Sequence, residues 1–305
     1  MPEKIEVTIL VDNTIDIFIP STEVAAYPVP GNGSMLWAEQ GLSLWIEVWN
    51  QGEKFSLLYD FGRSEDVPLR NAQLLGLDFS RLDAMALSHG HIDHYGCLLP
   101  VLQKTKQECR LFCHPKACSQ KRFVLKKDGT YAGPWEIDKK VFDRFGSRIE
   151  MSAAPVAVSP GVYLSGQIER GTGFELGMPN AFVEMEGERV HDDIMDDQAV
   201  FIELGDEKLV VVTGCCHAGA VNTLEEARRQ FPKRKVQALL GGLHLNSAGK
   251  TQMEKTMEYI SQAGIKHISA FHCSGYYAQR ILMGRFPEQW IPATVGAKMT
   301  FTEGA

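Results

Sequence analysis

The sequence predicts an α/β protein in which two sheets pack face to face with helices on their outer sides, a four-layer αβ/βα sandwich. Two patterns carry this. Short apolar runs, many of them β-branched, come in pairs early in the chain, and strand and helix patterns alternate late in it. The composition agrees. A chain of 305 residues that is 44% hydrophobic and 23% charged has the make-up of a folded globular protein, not of a disordered one.

The first strands are expected at 5–11, 42–49, 55–59 and 84–87, and a second set at 110–113, 162–164, 199–204, 209–213, 236–240 and 267–271. Gly52-Glu53 and Gly205-Asp206 separate paired strands and read as hairpin turns. Helical spacing of apolar residues marks 67–75, 98–106, 221–230, 251–262 and 277–283, with Gly264 as the stop after the fourth. No repeat or Ser/Gly linker divides the chain, so one domain is expected over residues 1–305. Residues 116–151 carry a basic cluster and then Gly129 and Gly133-Pro134, and read as an inserted loop region.

Charge and composition exclude several classes. Lys and Arg number 31 against 38 Asp and Glu, a net charge of −7, which argues against a nucleic-acid binder. No apolar run approaches the roughly 20 residues of a membrane span. The start MPEKIEVTIL lacks a basic segment followed by an apolar core, so a cytoplasmic protein is expected. Seven cysteines, an odd number, then read as reduced thiols, most of them small core residues.

The chemistry concentrates in Ser88-His89-Gly90-His91-Ile92-Asp93-His94-Tyr95-Gly96, which follows one expected strand and precedes an expected helix. Imidazole nitrogens and carboxylate oxygens suit zinc, iron or manganese. In an extended turn, residues two apart project to one side, so His89 and His91 can grip one ion. Asp93 and His94 start the next turn and can grip a second. Gly90 and Gly96 are read as letting the backbone bend.

His89-x-His91-x-Asp93-His94 resembles the signature of the metallo-β-lactamase superfamily, whose fold is an αβ/βα sandwich with a metal site at one edge of the sheets. Further segments match one subgroup: Leu58-Tyr59-Asp60-Phe61-Gly62, Asp196-Asp197-Gln198-Ala199, Gly214-Cys215-Cys216-His217, Gly241-Gly242-Leu243-His244 and His272-Cys273-Ser274-Gly275. That subgroup is similar to the 7,8-dihydropterin-6-methyl-4-(β-D-ribofuranosyl)aminobenzene-5'-phosphate synthases, many of whose relatives are called metal-dependent hydrolases. The resemblance implies further ligands from later strand ends. His217 is expected to serve the first ion and His272 the second, with His244 in reserve. One departure stands out. Many superfamily hydrolases place a metal-bridging Asp after the Gly that ends the strand at 209–213, and here that pair is Gly214-Cys215. Cys215 or Cys216 can supply a softer thiolate ligand, or both pack beneath the site.

The reading is a metal-dependent hydrolase that uses a metal-bound hydroxide on a small anionic substrate, a phosphorylated compound or an ester. One or two divalent ions are expected, zinc first, with iron or manganese as alternatives. Asp93 ligates and orients the nucleophile, and His244 or Tyr95 protonates the leaving group. The alternatives are a pterin-linked synthase, as the subgroup name implies, and a non-hydrolytic redox or binding protein that retained the pocket. Lys121, Arg122, Lys126 and Lys127 read either as an anion-binding lid or as a solvated face. Assembly stays open, with a homodimer as one option.

Overall fold

The computed structural model describes residues 1–28 and 35–304. Its first sheet has eight strands. In order across the sheet they are Ala25–Ala26, Lys298–Thr302, Lys4–Val11, Ser43–Asn50, Glu53–Tyr59, Ala84–Ala86, Arg110–Cys113 and Ile149–Met151. The second has six: Val156–Ser159, Val162–Leu164, Ala199–Leu204, Lys208–Thr213, Lys235–Gly242 and His267–Phe271. Alternation places Ile5, Val7, Ile9, Leu44, Ile46 and Leu57 of the first sheet against Val200, Ile202, Val210, Val212 and Leu240 of the second, all buried in one apolar layer.

The opposite face of each sheet is covered by helices. Leu10, Trp45, Leu58 and Met85 pack with Val67 and Ala72 of the helix Asp66–Leu75 and with Leu98 and Val101 of Leu98–Lys104. Phe201, Val211 and Leu239 pack with Leu224 of Ala220–Gln230, Met257 and Ile260 of Lys250–Ala263, and Leu282 of Gly275–Arg285. The result is the four-layer sandwich of the metallo-β-lactamase type. Gly264 ends its helix at φ 65, a left-handed conformation that glycine adopts without a Cβ clash.

The structure adds elements that the sequence reading did not expect, among them the strands Ala25–Ala26 and Val156–Ser159. Residues 116–151 are not a loop. Within them Arg122–Leu125 and Tyr131–Trp135 pair with each other, and Arg122–Leu125 also pairs with Ala181–Met185, in a third sheet of four strands completed by Glu188–His191. These strands are short, partly exposed and interrupted by Gly133-Pro134, so they lack the apolar alternation that marks a strand. The strand Lys298–Thr302 was also not anticipated; it pairs antiparallel with Lys4–Val11. Among the described residues no helix is long and apolar enough to cross a membrane.

Candidate metal centre

The site is built from strand ends. Glu53–Tyr59 and Ala84–Ala86 run parallel in one sheet, and Lys208–Thr213, Lys235–Gly242 and His267–Phe271 run parallel in the other. The residues just beyond their C-terminal ends are Asp60, His89, Cys215, His217, His244 and His272, and the two sheets bring them to one edge. Several are held in left-handed backbone conformations uncommon for non-glycine residues: Asp60 at φ 65, His244 at φ 45 and His272 at φ 52.

His91 is extended (φ −85, ψ 146) and precedes the short helix Ile92–Tyr95, which carries Asp93 and His94. His89 Nε2 and His91 Nδ1 lie 2.9 Å apart. The His217 ring stands edge-on to both, its centroid 4.8 Å from that of His89 and 4.9 Å from that of His91. Ligand atoms of His89, His91 and His217 all lie within 4.8 Å of one another, and so do those of Asp93, His94 and His272. His244 lies beside His217, with ring centroids 4.2 Å apart. The structure therefore places the six expected ligands, His89, His91, Asp93, His94, His217 and His272, together with His244, at one site. His114 stays apart: its Nδ1 accepts a hydrogen bond from the Lys116 backbone.

Cys215 sits between the two His sets. Its Sγ is 3.1 Å from His94 Nε2, and it belongs to ligand-compatible groups with His89 and His94, with His217 and His244, and with His272 and Cys273. Cys216 differs, because its thiol turns away to Thr223 Oγ1 at 3.3 Å. Composition gives no means of telling these neighbours apart; only the left-handed turn at Cys216 (φ 62) separates their directions.

Burial sets the protonation states. Desolvation, and then the neighbouring rings, hold His89 and His217 well below the ordinary imidazole range, and burial with Arg122 takes His91 down to about 3. All three are neutral at pH 7 and offer lone pairs. At His94 burial acts the same way but is outweighed by Asp60 and Asp93, which raise the ring to about 9. That point of the site favours a positive charge, which a proton or a cation can supply. His217 is 2% exposed and neither of its ring nitrogens has a hydrogen-bond partner. A buried imidazole with neither nitrogen hydrogen-bonded, and with a ligand atom within 4.8 Å of those of His89 and His91, is costly on its own and natural for a metal ligand, so these residues fit a divalent cation.

A shell of carboxylates supports the donors, and sequence reasoning did not assign it. Asp60 accepts hydrogen bonds from Ser88 N and Ser88 Oγ, each at 2.7 Å, and lies 2.6 Å from His94 Nδ1. Asp196 Oδ2 accepts from Gly90 N at 2.8 Å, and Asp197 Oδ2 from Ala218 N at 2.8 Å. Arg122, 1% exposed, pairs with Asp196 at 2.6 Å and Asp192 at 3.3 Å, so it is no anion-binding lid. The two glycines of the His motif are there for space and not for bending. A Cβ on Gly90 would stand 2.5 Å from Ala117 O, and one on Gly96 1.9 Å from Arg63 O.

A cavity of about 230 Å³ opens beside His217 and His244, with Glu175, Leu176, Ser247 and Gln252 on its other walls. Several polar groups of the surrounding loops are already engaged: Ser88 with Asp60, Gly171 N and Thr172 N with Asn222, and Asn180 with Leu125 O.

Buried imidazoles, a carboxylate and a thiol at the C-terminal edge of an αβ/βα sandwich define a class. Residues 36–153, which include the His89–His94 segment, match the family model described as the metallo-beta-lactamase superfamily. The chain is similar to the 7,8-dihydropterin-6-methyl-4-(β-D-ribofuranosyl)-aminobenzene-5'-phosphate synthase of Methanocaldococcus jannaschii, 29% identical over 283 residues, 92% of this chain and 94% of that protein. A second relative in the same organism, described as Uncharacterized protein MJ0448, is 26% identical over 79% of this chain and 86% of its own length. Among solved structures, Tm1679, titled a metal-dependent hydrolase of the beta-lactamase superfamily, superposes with a TM-score of 0.75 at 24% identity, covering 98% of this chain and 99% of that one.

Proposed function

We propose that the chain is a metal-dependent hydrolase of a small anionic substrate, a phosphorylated compound or an ester. The observation that carries this reading is the buried His217, whose ring nitrogens have no hydrogen-bond partner and which offers a ligand atom within 4.8 Å of those of His89 and His91. His89, His91 and His217 would hold one ion, and Asp93, His94 and His272 a second, with Cys215 between them in the place of a bridging carboxylate. Imidazole, carboxylate and thiolate donors suit zinc first, then iron, with manganese less suited to the thiolate. Bound ions of this kind lower the pKa of water toward about 7 and stabilise charge on a phosphoryl or carbonyl oxygen.

Asp93, partly open to solvent at 21%, orients the attacking water and accepts its proton. His244 is the candidate acid for the leaving group. Burial opposes its charged form, but its hydrogen bond to Cys273 and the buried carboxylates outweigh burial and raise its pKa. Its position between the metal centre and the cavity suits a group that meets the departing oxygen. The cavity also reaches Gly249, the N-cap of the helix Lys250–Ala263, whose first turn has no acidic residue. A helix start of that kind favours a negative group on the substrate.

The similarity over 92% of the chain to the M. jannaschii synthase supports a second reading, a pterin-linked synthase. Turnover assays separate the two. A hydrolase acts on phosphomonoesters or carboxylic esters with water alone, whereas a synthase forms product only when pterin and aryl ribosyl phosphate are both present. Metal analysis of His91→Ala tests the site itself. Loss of bound metal and of most activity, with folding retained, is expected; full metal content would contradict the assignment.

A further inference from the structure

Two cysteines outside the metal centre approach each other closely. Cys113 ends the strand Arg110–Cys113 and is 2% exposed; Cys118 lies in the helix Pro115–Ser119 and is partly exposed. Their sulfurs are 3.1 Å apart and neither is bonded. A disulfide needs about 2.05 Å, so about 1 Å of closure separates the dithiol from the bond. The turn between the two cysteines also touches the metal loop. Ala117 O and Cα lie 2.5 Å and 3.0 Å from where a Gly90 Cβ would stand, and Gly90 N donates to Asp196.

We infer that Cys113 and Cys118 form a reversible dithiol–disulfide site whose oxidation is transmitted through Ala117 to the His89–His91 turn. The oxidant is a low-molecular-weight disulfide. The accessible Cys118, as thiolate, attacks one sulfur of that disulfide and expels one thiol. Cys113 then gives up its proton and attacks the Cys118 sulfur of the mixed disulfide, expelling the second thiol. Two protein thiols are oxidised, one small disulfide is reduced to two thiols, and the protons leave on those thiols. Closure draws the Cys118 end of the helix toward Cys113 and carries Ala117 off Gly90. Of the remaining cysteines, Cys97 and Cys109 are buried singly in the apolar layer, and Cys215 and Cys273, which also lie near each other, belong with Cys216 to the metal centre or its lining.

The test incubates the full, metal-loaded chain with glutathione disulfide, then quenches it with acid, denatures it and strips the metal with a chelator before thiol titration and peptide mapping. Free thiols should fall from the seven of the sequence to five, with Cys113 and Cys118 joined in one peptide, and a reductant should restore all seven. Cys113→Ser should stop at a stable glutathione adduct on Cys118. Seven surviving thiols, or a link between other cysteines, would overturn the site. Amide hydrogen exchange reads the transmission: Gly90 should exchange several-fold faster in the oxidised protein, and equal rates would overturn the coupling. Neither readout depends on whether the metal assignment is correct.

Discussion

His94 Nδ1 lies 2.6 Å from Asp60 Oδ2, with both side chains fully buried. Asp60 thereby fixes the ring so that Nε2 faces His272 Nε2 and Cys215 Sγ, each 3.1 Å away. A carboxylate behind an imidazole sets its tautomer and raises its basicity as a ligand. The same carboxylate also holds Ser88, and through it the start of the His motif.

Replacing Asp60 with Asn keeps the shape and removes the charge. Metal affinity at the position of Asp93, His94 and His272 should fall by about 10- to 100-fold. A competition titration against a chromophoric chelator measures this, and circular dichroism should show an unchanged fold.

Cys215 is assigned here as a thiolate donor between the two His sets. The cobalt-substituted protein should therefore show a thiolate-to-metal charge-transfer band that Cys215→Ser lacks and Cys216→Ser keeps. A band that survives Cys215→Ser would return Cys215 to a packing role.

Much of the candidate centre was legible because four ligand-type residues fall within six positions: residue types and spacing alone mark His89 to His94. His217 and His272 were expected because the family resemblance implies further ligands at later strand ends, and the strands Lys208–Thr213 and His267–Phe271 do end just before them. Asp60 could not be read this way. It is one acidic residue at a strand end, and its partners Ser88 and His94 come into range only when parallel strands align. Arg122 misled for a related reason. Its neighbours in sequence are lysines, whereas its true partner, Asp196, lies 74 residues along the chain. The third sheet was missed because short, half-exposed strands around Gly133-Pro134 carry no alternation.

Arg122→Ala would strand Asp192 and Asp196 as buried, uncompensated carboxylates. Breaking a buried pair from one side costs about 3–5 kcal/mol. Urea unfolding should show a loss of that order. A loss no larger than that of an exposed substitution would mean that the Asp pair finds other partners.

Gly90→Ala places a methyl group 2.5 Å from the Ala117 carbonyl oxygen. Because that neighbour is backbone, the loop must shift, at about 1–3 kcal/mol for overpacking of this kind. The variant should melt at a lower temperature and bind metal more weakly, since His89 and His91 flank the shifted residue. Both effects can be read in one thermal scan run with and without added zinc.

The central claim is that imidazoles from separate strand ends share bound cations. Anomalous scattering from crystals of the metal-loaded chain, collected across the zinc, iron and manganese edges, tests it most directly. The account predicts a peak enclosed by His89, His91 and His217 and a second bounded by Asp93, His94 and His272. Crystals grown with metal present that show no anomalous density among these six residues would contradict it.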